Sequence, residues 1–292
     1  MFGTARVRLT RLDGTRYMAA ENAASVVRVS DRNGNAIAGA SISNGIITLP
    51  GGAAEATKAI IMGNSNNRIG YVIRWLLENR ADVPFNATNF NVSEYSAYAN
   101  GSFRVNYAIT GGTIRGAIEE ALRSDMAFFV QQTDGRFTLR SYQRRGAYPL
   151  HEIPSWATTK KPEKDYGRAQ DNYFSSCFVE WVNDNGDAIS ELYDGRAGEA
   201  ERRYRRRVQK TFATNLTSAG NARTLAGVLS DRYSHMRQVI KVSVGINTAP
   251  FELLDRVRVD LTINDRRFSH SNNFIITAIN HSQDILTLEE ID

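Results

Sequence analysis

The chain has 292 residues, of which 42% are hydrophobic and 23% charged, with a net charge of +5. That length supports two modest domains or three small ones, and the apolar share is enough for a real core, which excludes a disordered chain. A single cysteine, Cys177, excludes an intrachain disulfide, and so small a positive excess is too weak a field to specify nucleic acid as the partner.

Residues 5–62 read as a small β region. Val7 and Leu9 alternate with charged neighbours, Val26–Val29 is a strand, and Asp31-Arg32-Asn33-Gly34 is a turn. Asn44-Gly45, between apolar residues 37–42 and 46–49, suits a hairpin because both central residues of a type I′ turn need positive φ. At Gly63 the period changes. Asn66 or Asn67 is placed to cap a helix whose Ile69, Val72, Ile73, Leu76 and Leu77 share a face. Residues 85–108 are aromatic and irregular. A second helix starts near Thr113, with Ile114, Ala117, Ile118, Ala121 and Leu122 as its apolar stripe. Residues 127–132 and 136–140 form a hairpin across Thr133-Asp134-Gly135.

Residues 146–170 read as a linker, since they hold Pro149, Pro154 and Pro162 among clustered charges. Strands then follow at 173–182 and 187–193, joined by a turn at Asn183-Asp184-Asn185-Gly186. A helix over 221–236 carries Ala222, Leu225, Ala226, Leu229 and Tyr233 on one face. Strands are expected at 239–244, 256–263, 274–279 and 284–291, so that the helix lies on an antiparallel sheet or small barrel. In 256–263 the period of two sends Val257, Val259, Leu261 and Ile263 to the core, and Arg256, Arg258, Asp260 and Thr262 away from it. The fold class is α+β, mainly β: two β-barrel-like or sandwich domains with an inserted small α+β module. The boundaries are 1–62 for a partial N-terminal β-domain, 63–145 for the module of two helices and a hairpin, 146–170 for the linker, and 171–292 for a C-terminal barrel-like domain with one packed helix.

Catalytic signals are absent from the sequence. His151, His235, His270 and His281 stand at no ligand spacing from each other or from Cys177, so no metal is expected. Glu119-Glu120 and Glu289-Glu290 are adjacent residues that do not share a face, unlike opposed catalytic carboxyls. There is no Gly-x-Ser-x-Gly elbow, and Cys177 sits in an apolar strand pattern as a small buried hydrophobe. Gly111-Gly112 lacks the Lys-Ser/Thr of a phosphate loop and reads as a turn before a capped helix. No cofactor is implied. No run is long enough to span a bilayer and no apolar signal core opens the chain, so folding in a cytoplasm is expected.

Arginines are the sharper feature. Arg202, Arg203, Arg205, Arg206 and Arg207 form a basic run suited either to phosphates or to a neighbouring subunit. Glu199 and Glu201 damp its field, which favours the subunit. Arg256 and Arg258 join them as candidate interface residues on their strand face. The aromatics of 85–108 read as core, with a sugar-binding platform as the rival.

The order of these features resembles the hub proteins of bacteriophage tail tips and baseplates. The residues that carry the resemblance are Val26–Val29 with Asp31–Gly34, Ile46–Leu49, Arg68–Leu77, Ile114–Ser124 and Asp134–Leu139. Further along they are Asp171-Asn172-Tyr173, Val179-Glu180-Trp181, Asn221–Tyr233, Val239–Val244, Leu254–Val259 and Phe274–Ile276. The resemblance implies a non-enzymatic structural protein in a ring, most often a homotrimer, located in a virion tail assembled in the host cytoplasm. It implies a distal tail protein, a tape-measure protein and tail fibre or spike proteins as partners, with nucleic acid met only in passage through a lumen. Hubs of this kind often have a fuller N-terminal β-domain and longer C-terminal extensions, so the expectation is either a hub split between polypeptides or ends supplied by a partner. A carbohydrate- or host-receptor-binding tail protein is the alternative, and a hub-borne peptidoglycan hydrolase a third.

Overall fold

In the computed structural model the described residues are 3–19, 23–51, 53, 55–62, 66–107, 112–160, 163–164, 173–183, 185, 187–235, 237–246, 248–263, 266–268 and 273–291. The class is α+β, mainly β, as the alternation patterns predict, and no sheet closes into a barrel. Among the described residues the sheets are open, which leaves the sandwich form of the two expected, barrel-like or sandwich.

The N-terminal region is two four-stranded sheets. One runs Thr4–Arg8, Ala56–Met62, Ser25–Asp31, Ala36–Ile37, and the other Thr10–Asp13, Arg16–Met18, Ile46–Thr48, Ser41–Ser43. Val7, Tyr17, Val29, Ile47 and Leu49 fill the space between them. The Asn44-Gly45 turn is as expected: φ is +49° at Asn44 and +75° at Gly45, and Ser43 pairs with Ile46 across it.

Helix α1 (Ile69–Arg80) buries the predicted face, Ile69, Val72, Ile73, Leu76 and Leu77. Its start is not capped by Asn66 or Asn67. Asn67 is buried, and its amide donates to the Val105 carbonyl while accepting from Arg104. The free N–H groups of the first turn are met from a distance instead, by Ser102 Oγ on Gly70 and the Phe103 carbonyl on Ile69. Ser102 follows helix α2 (Val92–Gly101), which occupies the stretch expected to be irregular. Asn91 starts it by accepting from the Glu94 N–H, and its own amide donates to the Glu94 carboxylate. Helix α3 (Ile114–Arg123) begins as predicted, with Thr113 Oγ1 accepting from Gly116. Among the described residues the module therefore holds three α-helices, not two, beside the hairpin Ala127–Gln131/Phe137–Ser141, whose turn places Gly135 at φ +85°.

Helices α1 and α2 cross with backbones nearly touching. A Cβ at Gly70 would lie 2.5 Å from both Cα and Cβ of Ala99, and the Tyr95 hydroxyl donates to the Gly70 carbonyl at 2.8 Å. Gly70→Ala is expected to lose about 1–3 kcal/mol, the usual cost of overpacking. Thermal melting checks this, and an unchanged midpoint would mean the crossing has slack.

The expected linker is partly sheet. Leu150–Ile153 pairs in parallel with Arg256–Val259, and Glu163–Lys164 pairs with Val239–Ser243. Both are edges of a six-stranded sheet ordered Leu150–Ile153, Arg256–Val259, Asn273–Asn280, Ile285–Ile291, Val239–Ser243, Glu163–Lys164. Prolines 149 and 154 flank the first edge, where a missing N–H costs least. Pro162 and the 165–170 end of the linker lie outside the described residues. The six-stranded core is Ile153, Ile240, Val242, Val257, Val259, Phe274, Ile276, Leu286 and Leu288. The strand expected over 256–263 breaks at Asp260 and restarts as Leu261–Ile263 against Arg266–Phe268, and the side chains of Leu261 and Ile263 lie outside the described residues.

Helix α4 (Ala197–Tyr204) and helix α5 (Ala219–Tyr233) complete the fold. α5 does not lie on the C-terminal strands. It packs on a three-stranded sheet, Ala188–Tyr193, Ser176–Val182, Gln209–Ala213. Its Ala222, Leu225, Ala226 and Leu229 join α1–α3, Phe174, Cys177 and Val179 in one core. The apolar side chains thus group residues 69–139 with 174–229, across the boundary expected at 146–170.

Candidate functional site

The basic run lies on the last turn of α4 and the residues after it. Arg205 takes φ +50° and ends the helix, and Arg202, Arg203, Arg205, Arg206 and Arg207 are all exposed. Arg207 alone of the five reaches a carboxylate among the described residues, Glu201 at 3.5 Å. The Arg202 Nε donates to the Gly198 carbonyl, and Arg203 lies over its neighbour Tyr204 at 5.5 Å. Among the described residues that one glutamate is the only acid paired with the run, which leaves it an exposed cationic surface. Arg256 and Arg258 are half-buried on a different element. Arg256 donates to the Tyr148 carbonyl, and Arg258 lies 4.0 Å from Glu152 and 3.4 Å from Asn273 Oδ1. The two sets sit on different elements of the chain, one at the end of α4 and the other on the strand Arg256–Val259, rather than in one site.

The densest charge cluster is one the sequence does not announce. Arg140, on the hairpin, has a side chain only 4% exposed. It donates to Glu94 of α2 at 2.7 Å, to Glu252 at 2.6 Å and to Asp255 at 2.8 Å, and also to the Leu253 carbonyl at 3.0 Å. Burial alone would lower its pKa, but Glu94, Asp255 and Glu252 more than reverse that and hold the guanidinium charged. Asp255 also accepts from the Glu252 N–H and meets His151 Nε2 at 2.9 Å, with the imidazole against Phe251. Arg140 and Glu94 belong to the helical core, while His151, Glu252 and Asp255 belong to the six-stranded sheet and its loops. A second clamp joins the same two parts. Arg232 of α5 makes a bidentate pair with Glu289 at 2.9 and 2.7 Å, over the Tyr142 ring. Beside it Arg237 donates to the carbonyls of Arg232, Asp231 and Glu290, closing the end of α5.

Asp125 carries a pH-dependent cost. Burial pushes its pKa up to about 7, against the opposing pull of the Tyr98 hydroxyl and Arg144, and Gln143 Nε2 donates to it at 2.6 Å. Its folded-state pKa is above the ordinary value of 3.8. The folded protein therefore binds that proton more tightly, and this contribution to stability is full below about pH 4 and lost as pH rises through about 7. Asp125→Asn keeps the acceptor for Gln143 and removes the titration. The stability gap between variant and parent should open between pH 4 and 7, by up to about 1.4 kcal/mol per pH unit, and stay constant above. Urea unfolding at pH 4.5, 6 and 8 measures it, and a gap independent of pH contradicts it.

The remaining titratable candidates serve structure. Glu119 pairs with Arg115, Glu120 accepts from Tyr107 and Asn215, and Glu289 holds Arg232. His235 lies between Ser234 and Glu199, and His281 meets Thr248. His270, Gly111 and the Asp171-Asn172 pair lie outside the described residues. Among the described residues no group of three His, Cys, Asp or Glu could hold a metal ion, and no helix is long and apolar enough to cross a membrane. Cys177 is fully buried, and burial pushes its thiol up to about 11, away from the reactive thiolate. Phe90, Tyr95, Tyr98 and Tyr107 are core, as expected, not a platform.

The chain superposes on a chain from the virion of a native gene transfer agent particle with a TM-score of 0.57 and 11% identity, covering 99% of this chain and 83% of that one. The two share a fold. A tail protein from Neisseria meningitidis MC58 matches with a TM-score of 0.48 and 10% identity over 99% of this chain and 97% of that one. The 43 kDa tail protein of prophage MuSo2 from Shewanella oneidensis gives 0.44 and 8% over 100% and 93%. No family model and no curated protein matches the sequence.

Proposed function

We propose that this chain is a non-enzymatic structural protein of a phage-type tail, acting as a hub at the tail tip or baseplate. On this reading it forms a ring, most simply a homotrimer, that joins the tail tube to more distal components. The observation that carries it is the end-to-end fold match to a virion chain, spanning 99% of this protein and 83% of its counterpart. The open arginine run and the unpaired sheet edges are what an assembly protein uses, since edge strands and charged faces pair with neighbours. Its location is the virion tail, after assembly in the host cytoplasm. Its partners are copies of itself, a distal tail protein, a tape-measure protein and fibre or spike proteins, with nucleic acid only in passage. The seven arginines 202, 203, 205, 206, 207, 256 and 258 are its candidate contact residues. The β-domain, α+β module and C-terminal domain order is kept within this proposal.

Deletion of the gene, with and without a plasmid copy, tests it. Tailed particles should vanish on deletion and return on complementation, with the protein recovered from them by mass spectrometry. Normal tailed particles lacking the protein would end the reading.

A further inference from the structure

One apolar groove stays open among the described residues. It has a volume of 1040 Å³ and lies open between α3, α5 and the strands Ala127–Gln131 and Gln209–Ala213. Ile118, Leu122, Phe128, Phe212, Leu225 and Leu229 are among its walls. Both strands are sheet edges among the described residues: one pairs only with Phe137–Ser141, the other only with Ser176–Val182. Phe128 is 37% exposed there. Of the groove's arginines, Arg115 is held by Glu119 and Arg232 by Glu289, while Arg123 has no acid within reach among the described residues.

The matching knob is on the other part of the chain. Trp156 is 78% exposed, yet the residues around it are fixed. Ile153 and Ala157 are fully buried, the Ala157 N–H donates to the Pro154 carbonyl, and Gly245 donates to the Ala157 carbonyl at 2.6 Å. The backbone that presents the indole is therefore already fixed, which lowers the ordering cost of binding. It follows the edge strand Leu150–Ile153, whose Leu150 is 38% exposed and whose only strand partner among the described residues is Arg256–Val259. Glu152 on that strand is 62% exposed and reaches Arg258 only at 4.0 Å.

We propose that the groove receives Trp156 of a second copy of this chain. The two surfaces share no residue, each is bordered by a free strand edge able to add a strand, and Glu152 supplies the acid that Arg123 lacks. Tryptophan in an apolar hollow is the usual anchor of such contacts. Because knob and hollow are different patches, the contact is heterologous and repeats from copy to copy instead of stopping at a two-fold dimer, and it makes a ring when its rotation closes. The contact deepens the ring reading above and rests on it only for closure.

Trp156→Glu and Phe128→Glu test it by sedimentation equilibrium of the purified full chain, with circular dichroism to confirm folding. Each variant alone should associate at least tenfold more weakly than the parent. Mixed in equal amounts they should form a 1:1 heterodimer and nothing larger, since one keeps the hollow and the other the knob. If Phe128→Glu fails to fold, Thr211→Arg, exposed on the opposite wall, takes its place. A parent that stays monomeric, a Trp156→Glu variant that associates like the parent, or a mixture that stays monomeric overturns the contact. None of these touches the tail reading, which is judged on particle contents.

Discussion

Arg140→Met should leave the protein largely unfolded at neutral pH, with a loss of about 3–5 kcal/mol, the cost of stranding buried charge. The reason is the count of partners. One guanidinium answers Glu94, Glu252 and Asp255 at 2.6–2.8 Å, and the Asp255 side chain is only 1% exposed. Removing it leaves three carboxylates facing one another in a low-dielectric pocket, offset by no full positive charge held as closely, only by His151, the Gln132 and Asn91 amides and the Glu252 N–H. Arg140→Lys keeps the charge but loses the fork that reaches three acids at once, so it should fall between parent and Met variant. Urea unfolding at pH 7.5 reads both variants. A loss under about 1 kcal/mol at neutral pH, typical of a surface pair, would mean the cluster is solvated and does not lock the two parts together.

Val259→Asp should prevent folding outright, while Arg258→Glu, one residue away, should not. Val259 is fully buried in the six-stranded core, where an unpaired carboxylate costs several kcal/mol or forces the strand out of the sheet. Arg258 is half-exposed on the other face and holds Glu152 only at 4.0 Å, so reversing its charge should shift stability by no more than about 1 kcal/mol. If that face meets a neighbour, Arg258→Glu yields a folded monomer that assembles poorly. Soluble expression and far-ultraviolet circular dichroism separate the two variants. The same outcome for both would erase the division of this strand into a core face and a contact face.

Local pattern made much of this fold readable. The α1, α3 and α5 faces, the Asn44-Gly45 turn, the 127–141 hairpin and the C-terminal strands apart from the break at Asp260 follow from periodicity and turn chemistry in short windows. What was not readable depends on distant chain. α2 is hidden because its aromatics lack a clear helical stripe, although Asn91 and Glu94 stand at capping-box spacing and mark its start. The α1 cap is supplied by Ser102, thirty-two residues on. Leu150–Ile153 is short, flanked by prolines and paired in parallel with a strand a hundred residues later, so composition alone reads it as linker. Arg140 shows the limit most clearly. A period of two assigns Thr138 and Arg140 to solvent, yet both are buried, because the sheet part covers the hairpin's second face. The cluster is made by tertiary contact and has no local signature. The arginine run is the reverse case: its exposure was legible, and its placement at the end of a short helix was not.

Cryo-electron microscopy of purified tailed particles tests the central claim most directly. The account predicts density for this fold at the distal end of the tail, repeated around the tail axis in a closed ring. Particles with a fully traced tail tip and no copy of this fold anywhere in the tail would contradict it.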